Sequence, residues 1–559
     1  MKSSEETTKQ PLLGVSVHYL CTIFEVECKE YLKGIGKDYS TAKVYDIESL
    51  RDPTGLIRQK GENVISKEDG KMGASYIDCL EDEDHVGLAT HMISYGWGNR
   101  ILDINSALRA YCQQMKLEEK QTYIWICCLC NNQYRVKEKM DSGENVSVEE
   151  FSKIFQEKVV GINHILALMV PWDTPIYNTR VWCIFEFYTA LVNNCKLDII
   201  FPETEKIKLV EAFKSHEGDG HEKLLSTLAS TRIQDAEATQ EEDKKVILSM
   251  VETGSGFNSV NGKVNERMRN WVEETLIEAV KEAEEKSEDA TTDLDLALLS
   301  NNVGKVFCND GKYEIAITYF KKSIEIGLKV HGNEHCDTAL YYNNICGGYK
   351  EMGDYERALD YGNKSLEVRL KVLGNEHIDT AASYNNIGIV YQTKGDYESA
   401  LDYYNKSLQI RLKVLGNEHT DTAKSYHNIG LVYQREGDYE SALDYHNQSL
   451  EIKLKVLGNE HTDTAESYNN IGVVYRMMGD YESALDYYNK CLEINLKVLG
   501  NEHTATATSY NNIGIVYGKK GDCESALDYY NTAASYNNIG SIHEKKGDYE
   551  SALDYYNKT

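Results

Sequence analysis

The tetrapeptide Gly-Asn-Glu-His occurs five times, starting at Gly332, Gly374, Gly416, Gly458 and Gly500, each 42 residues after the one before. A strict period of this length means that one supersecondary unit is copied and stacked, because a short unit cannot bury its apolar face alone. Within a copy the spacing is helical: Tyr384, Ile387, Gly388 and Tyr391 fall at i, i+3, i+4 and i+7, and Ala400, Tyr404, Ser407 and Leu408 repeat the pattern. Gly395 suits the left-handed end of a first helix and Asp396 can cap a second. Small Gly388 and Ala400 permit close approach of the two.

The order of an aromatic, Ile-Gly, Tyr, Ala and a second aromatic resembles the tetratricopeptide repeat family. Seven copies can be traced, six of which keep the glycine after Ile or Val (Gly304, Gly388, Gly430, Gly472, Gly514 and Gly540), while the second reads Ile345-Cys346 and looks degenerate. The longer unit, running through Leu-Lys-Val-Leu-Gly to Asn-Glu-His, is similar to the kinesin light chain and nephrocystin-3 branch. The resemblance implies an all-α superhelical solenoid over residues 293–559. In the sixth unit Asn531 leads at once into Thr532-Ala533, which predicts one long helix running into the seventh unit, or a frayed end. The seventh stops at Thr559 within its second helix, which leaves two readings open: self-association through this apolar end, or a truncated gene model.

Asparagine recurs at one position of the first helix (helix A): Asn302, Asn344, Asn386, Asn428, Asn470, Asn512 and Asn538. A primary amide both donates and accepts, so a ladder of them can grip the backbone of an extended peptide. Similar asparagines line the cargo groove of kinesin light chains, so the resemblance implies peptide binding here. The competing reading is an amide that bonds only its neighbouring helix. His335, His377, His419, His461 and His503 are 42 residues apart, which is no chelating spacing, so they read as loop-packing residues and no metal is expected.

Upstream the texture changes. Residues 1–88 read as a partly ordered extension, 89–215 as an α/β domain and 216–292 as an acidic helical linker. Strands are predicted near His91 to Tyr95, Tyr123 to Leu129, Ile165 to Val170 and Leu197 to Phe201, with helices between them at Ile104 to Tyr111, Val148 to Val160 and Thr179 to Asn193. Continuous apolar runs of this length suit a parallel sheet covered on both faces.

The blocks Ser94-Tyr95-Gly96-Trp97-Gly98 and Trp125-Ile126 to Cys130-Asn131-Asn132-Gln133 resemble the fungal heterokaryon-incompatibility domain. The block Trp182-Cys183-Ile184-Phe185-Glu186 resembles plant Toll/interleukin-1 receptor (TIR) domains. Both resemblances imply a flavodoxin-like fold. In the TIR family the glutamate of this block is catalytic in NAD hydrolysis, which points to Glu186, with Trp97 and Trp182 as accompanying nucleotide-binding candidates. A carboxylate there can stabilise the positive charge that builds on the ribose. Against this, Cys127 stands where the heterokaryon family has Asp, and Glu186 beside Arg180 also reads as a structural partner of that base. Cys127 and Cys130 have no second ligand pair and read as buried thiols, and the glycines from Gly254 to Gly262 do not match a P-loop.

A net charge of -29 with pI near 5.0 argues against nucleic acid or anionic membrane and favours neutral or basic protein partners. The acidic start lacks a signal-peptide pattern, and the apolar runs fall short of the ~20 residues that span a bilayer. With fourteen cysteines in no framework spacing, a cytoplasmic protein is expected. The combined expectation is an adaptor whose solenoid binds peptides and positions a TIR-like signalling module. Two alternatives remain: an NAD-hydrolysing effector activated by clustering, and a kinesin light chain-like cargo adaptor, which lacks the heptads expected before Asp289. No cofactor is expected, NAD entering only as a substrate.

Overall fold

The computed structural model describes residues 11–533, apart from 49–53, 142–147, 215–219, positions scattered between 221 and 232, 239–240, 255, 287–289 and 502. It divides into two units, Met1–Val306 and Phe307–Thr559.

The first unit is built on a six-stranded sheet in the order β2-β1-β4-β3-β5-β6. The strands are β1 (Leu13–Ser16), β2 (Val86–Leu88), β3 (His91–Ser94), β4 (Tyr123–Trp125), β5 (His164–Leu168) and β6 (Lys196–Ile200). Strands β4, β3, β5 and β6 run parallel, while β1 is antiparallel to both its neighbours. All four residues of β3 are buried, the polar His91 and Ser94 included, as a strand covered by helices on both faces requires. The helices Ile101–Met115, Val148–Ile162 and Val181–Val192 lie where their periodicity places them.

Three expectations need correction. The segment before Ala89 is integral to the sheet: it supplies β1 and β2, and Val15, Leu20, Phe24, Leu32 and Tyr76 share one core with Ile93, Ile124 and Leu166. Strand β1 is only four residues long and contains Gly14, where a Cβ would come within 2.9 Å of the Ile124 backbone. Strand β4 ends at Trp125 rather than Leu129, because Cys127–Cys130 form a helical turn. The region read as a linker is also packed into the unit. Its helix Phe257–Glu285 buries Val260, Val264, Met268, Val272, Leu276 and Val280, and Trp271 stacks on Phe201 with centroids 3.6 Å apart. At roughly 1.5–3 kcal/mol for each large side chain fully buried, that face is a substantial part of the core.

The second unit is a run of antiparallel helix pairs, such as Ile378–Lys394 with Tyr397–Leu415 and Thr462–Met478 with Tyr481–Val498. Gly395, Gly437, Gly479 and Gly521 take φ between 83° and 87° where helix A ends, and the next aspartate caps the second helix (helix B). Asp396 Oδ1 accepts the Ser399 N–H at 3.1 Å, and Asp438, Asp480 and Asp522 do the same for Ser441, Ser483 and Ser525. Helix A's glycine then faces helix B's aromatic: a Cβ on Gly388 or Gly472 would meet the ring of Tyr404 or Tyr488 at 2.8 Å. In the second copy the sizes are exchanged, with Cys346 at the glycine position and Gly362 at the aromatic one. The expected continuation of the sixth unit into a seventh lies outside the described residues; the last described helix is Cys523–Thr532.

Candidate functional site

In the first unit the chain passes from β4 across β3 to β5, so the connections leave β3 and β5 toward opposite neighbours. The crevice at the carboxyl ends of such strands is where open α/β sheets bind ligands. Ser94 ends β3, Cys127 follows β4, and the helix Val181–Val192 after β5 carries Glu186. Ser94 Oγ donates to Tyr177 Oη at 2.9 Å, and Tyr177 Oη donates to the Cys183 carbonyl at 2.9 Å.

Glu186 is 8% exposed, and its Oε2 has no hydrogen-bond partner. Burial pushes its carboxyl up to about 8, with only Ser94 acting to lower it. Burial thus favours the neutral acid form of Glu186. The expected Arg180 partner does not appear: among the described residues no ion pair joins the two. Cys127 Sγ receives the indole N–H of Trp97 at 3.3 Å and lies 3.4 Å from Tyr95 Oη, while burial raises its thiol. Burial likewise pushes Cys130 up to about 12, so neither sulfur is a ready thiolate.

Trp97 is thus tied to Cys127. The Trp182 indole N–H donates to Asp243 at 3.1 Å, and its ring meets Phe185 edge-on at 5.8 Å. Lys158 was not singled out by the sequence. Its Nζ donates to Asn131 Oδ1 at 2.7 Å, lies 5.0 Å from the Trp125 ring centroid, and is lowered by burial. A lysine on the apolar face of the helix Val148–Ile162 was the available signal.

The asparagine row is a feature of the second unit. Asn386 Nδ2 donates to Asn343 Oδ1 at 2.7 Å, Asn428 Nδ2 to Asn385 Oδ1 at 2.9 Å, and Asn512 Nδ2 to Asn469 Oδ1 at 2.8 Å. Each of these amides gives one N–H to the preceding helix A while the residue stays partly exposed, as do Asn344 and Asn470. At Asn470 the preceding acceptor position is His427. Asn302 does not join the row. It is 2% exposed and donates to the Phe213 carbonyl at 2.7 Å within the first unit.

The loop histidines have a definite task. Nδ1 of His335, His377, His419, His461 and His503 accepts the N–H two residues on, at 3.1–3.2 Å, capping each helix A. No helix among the described residues is long and apolar enough to cross a membrane.

Several solved structures show similarity to part of this chain. BtubC (BKLC) from P. vanneervenii is 18% identical over 41% of this chain and 92% of its own, with a TM-score of 0.37. A kinesin light chain-like protein of Podosopora anserina with nearly identical TPR-like repeats is 22% identical over 38% of this chain and 98% of its own, at 0.33. Aspartyl phosphate phosphatase F from Bacillus subtilis is 15% identical over 63% of this chain and 92% of its own, at 0.40. No curated protein sequence matches. Two tetratricopeptide repeat family profiles match residues 295–371, 337–413, 379–455, 421–497 and 463–533, and residues 533–558. Residues 295–558 of this chain are tetratricopeptide repeats.

Proposed function

We propose that the repeats are a protein-interaction scaffold that takes an extended, neutral or basic peptide against the asparagine row from Asn344 to Asn512. In this reading, peptide capture positions the first unit as a TIR-like signalling module. The supporting observation is the inter-repeat amide bonding: Asn386, Asn428 and Asn512 are each held by the preceding helix A, so their remaining donors and acceptors are pre-oriented. Pre-orientation reduces the ordering cost of binding. The order β4-β3-β5-β6, which is second-first-third-fourth along the chain, is the start of a flavodoxin-like arrangement and supports the assignment of the first unit. The test is selection of peptides from a random library on the full chain, followed by Asn386→Ala/Asn428→Ala. A loss of affinity of ~10-fold or more with unchanged helical circular dichroism supports the reading, since an amide pair of this kind contributes roughly 0.5–1.5 kcal/mol per bond. Unchanged affinity rejects it.

A second reading is NAD cleavage at Glu186, favoured by the unpartnered Oε2 of a buried carboxyl on the helix that follows β5. A carboxylate that stabilises a ribosyl cation must be ionised, so the acid raised to about 8 requires activity that climbs with pH through that value. Nicotinamide release from NAD by the full chain, lost in Glu186→Ala, tests it. No release at pH 9 removes this reading and leaves the scaffold untouched.

A further inference from the structure

The junction between the first and second repeats differs from the rest. At the position of Leu373, Leu415, Leu457 and Leu499, the last residue before the recurring glycine, this junction has His331. His331 ends the helix Tyr313–His331, and His335 and Asp337 begin the helix Cys336–Glu351. The two imidazole rings stack with centroids 3.8 Å apart and planes inclined by 5°. Asp337 Oδ2 lies 3.7 Å from His331 Nε2 and 3.5 Å from His335 Nδ1. One donor atom from each residue falls within 4.8 Å of the others, and all three residues are partly buried.

We propose that His331, His335 and Asp337 bind a divalent transition-metal cation of the Zn2+ or Co2+ class. Two imidazoles and one carboxylate suit borderline cations, and the remaining coordination position goes to water. A tetrahedral site with bonds of ~2.1 Å sets its donors roughly 3.4 Å apart, so small side-chain rotations close the present spacing. At His335 the cation replaces the Asp337 N–H that Nδ1 accepts at 3.2 Å. Bound there, it joins the end of one helix to the start of the next.

The other junctions are internal controls. His377 and Asp379, His419 and Asp421, and His461 and Asp463 keep two of the donors, 3.7 to 3.9 Å apart, but leucine replaces the third. His503 is followed by Ala505, which leaves one donor. A lone histidine-carboxylate pair holds such cations far more weakly than three converging donors.

The substitution His331→Leu installs the residue found at the other junctions, so folding is retained. Full-length protein freed of metal, with its cysteines kept reduced, is titrated with Co2+ by visible absorption and equilibrium dialysis, then competed with Zn2+. The expected result is one more equivalent bound by the wild type than by His331→Leu or Asp337→Asn. Zn2+ should also raise the thermal midpoint of the wild type and leave that of His331→Leu unchanged. Equal stoichiometry in the wild type and His331→Leu overturns the proposal, whether or not the fourteen cysteines bind metal elsewhere.

Discussion

Cys346 Sγ lies 3.3 Å from the point where a Cβ on Gly362 would sit, so the second repeat fills with a thiol the space that an aromatic ring occupies in its neighbours. What reads as decay in helix A is balanced in helix B. Gly362→Tyr alone drives a ring into the Cys346 side chain and should cost about 1–3 kcal/mol. Cys346→Gly alone leaves a void and a flexible helix position, at roughly 1–2 kcal/mol. The double variant rebuilds the pair seen at Gly388 and Tyr404. Urea unfolding of all four proteins should show it more stable than either single variant, with a coupling on the order of 1–3 kcal/mol.

The fourth repeat carries the opposite imbalance. In the third, Tyr404 Oη donates to Gln392 Oε1 at 2.6 Å, but in the fourth His446 replaces the tyrosine. Gln434 Oε1 and His446 Nε2 are both buried with no partner. His446→Tyr should restore the bond and stabilise the repeats by ~1–2 kcal/mol in thermal or urea unfolding.

The same residue sets an acid response. Burial, with His427 and Lys453 nearby, lowers His446 to about 3. Between the unfolded value near 6.5 and that figure, the unfolded chain binds a proton that the folded chain refuses. Stability contributed by the neutral ring is complete above pH ~6.5 and is lost progressively as pH falls toward 3. Unfolding midpoints at pH 7 and pH 5 should diverge less in His446→Tyr than in the wild type.

Glu186 works in the other direction. Its folded value of about 8 lies above the unfolded one near 4.5, so the folded state holds the extra proton between them. Stability from the neutral acid is complete below pH ~4.5 and is lost as pH rises through 8. Glu186→Gln removes the titration, and denaturant unfolding of the first unit should become flatter between pH 5 and pH 9, by a few kcal/mol at most.

Leu276 is fully buried on the helix Phe257–Glu285. Leu276→Ala should destabilise the first unit by about 2–5 kcal/mol in urea unfolding. A linker position would tolerate it within ~0.5 kcal/mol.

The repeats were legible because identical copies expose their own rules: the caps at Gly395 and Asp396 and the packing role of Gly388 follow from spacing alone. Relationships between helices were not. Cys346 and Gly362 sit 16 positions apart and make sense only together, and Asn302 shares its motif with Asn386 while packing against Phe213. In the first unit the strands β3 to β6 announced themselves as apolar runs, whereas β1 and β2 are too short to show a pattern. The helix over 257–285 places a large buried apolar residue at every fourth position from Val260 to Val280 among many charged ones, which reads as polar in any local window. Glu186 could be found by resemblance, but its missing cationic partner depends on where Arg180 points.

The stack of Trp271 on Phe201 has a practical side. All five tryptophans, Trp97, Trp125, Trp172, Trp182 and Trp271, belong to Met1–Val306. Indole emission is therefore an address label for that unit, and release of the Trp271 ring into water should shift it to the red. The helix pairs beyond Phe307 are dark in this channel, while far-ultraviolet dichroism reports the helices of both units, so a dichroism transition with no matching emission change is the signature of the repeats alone.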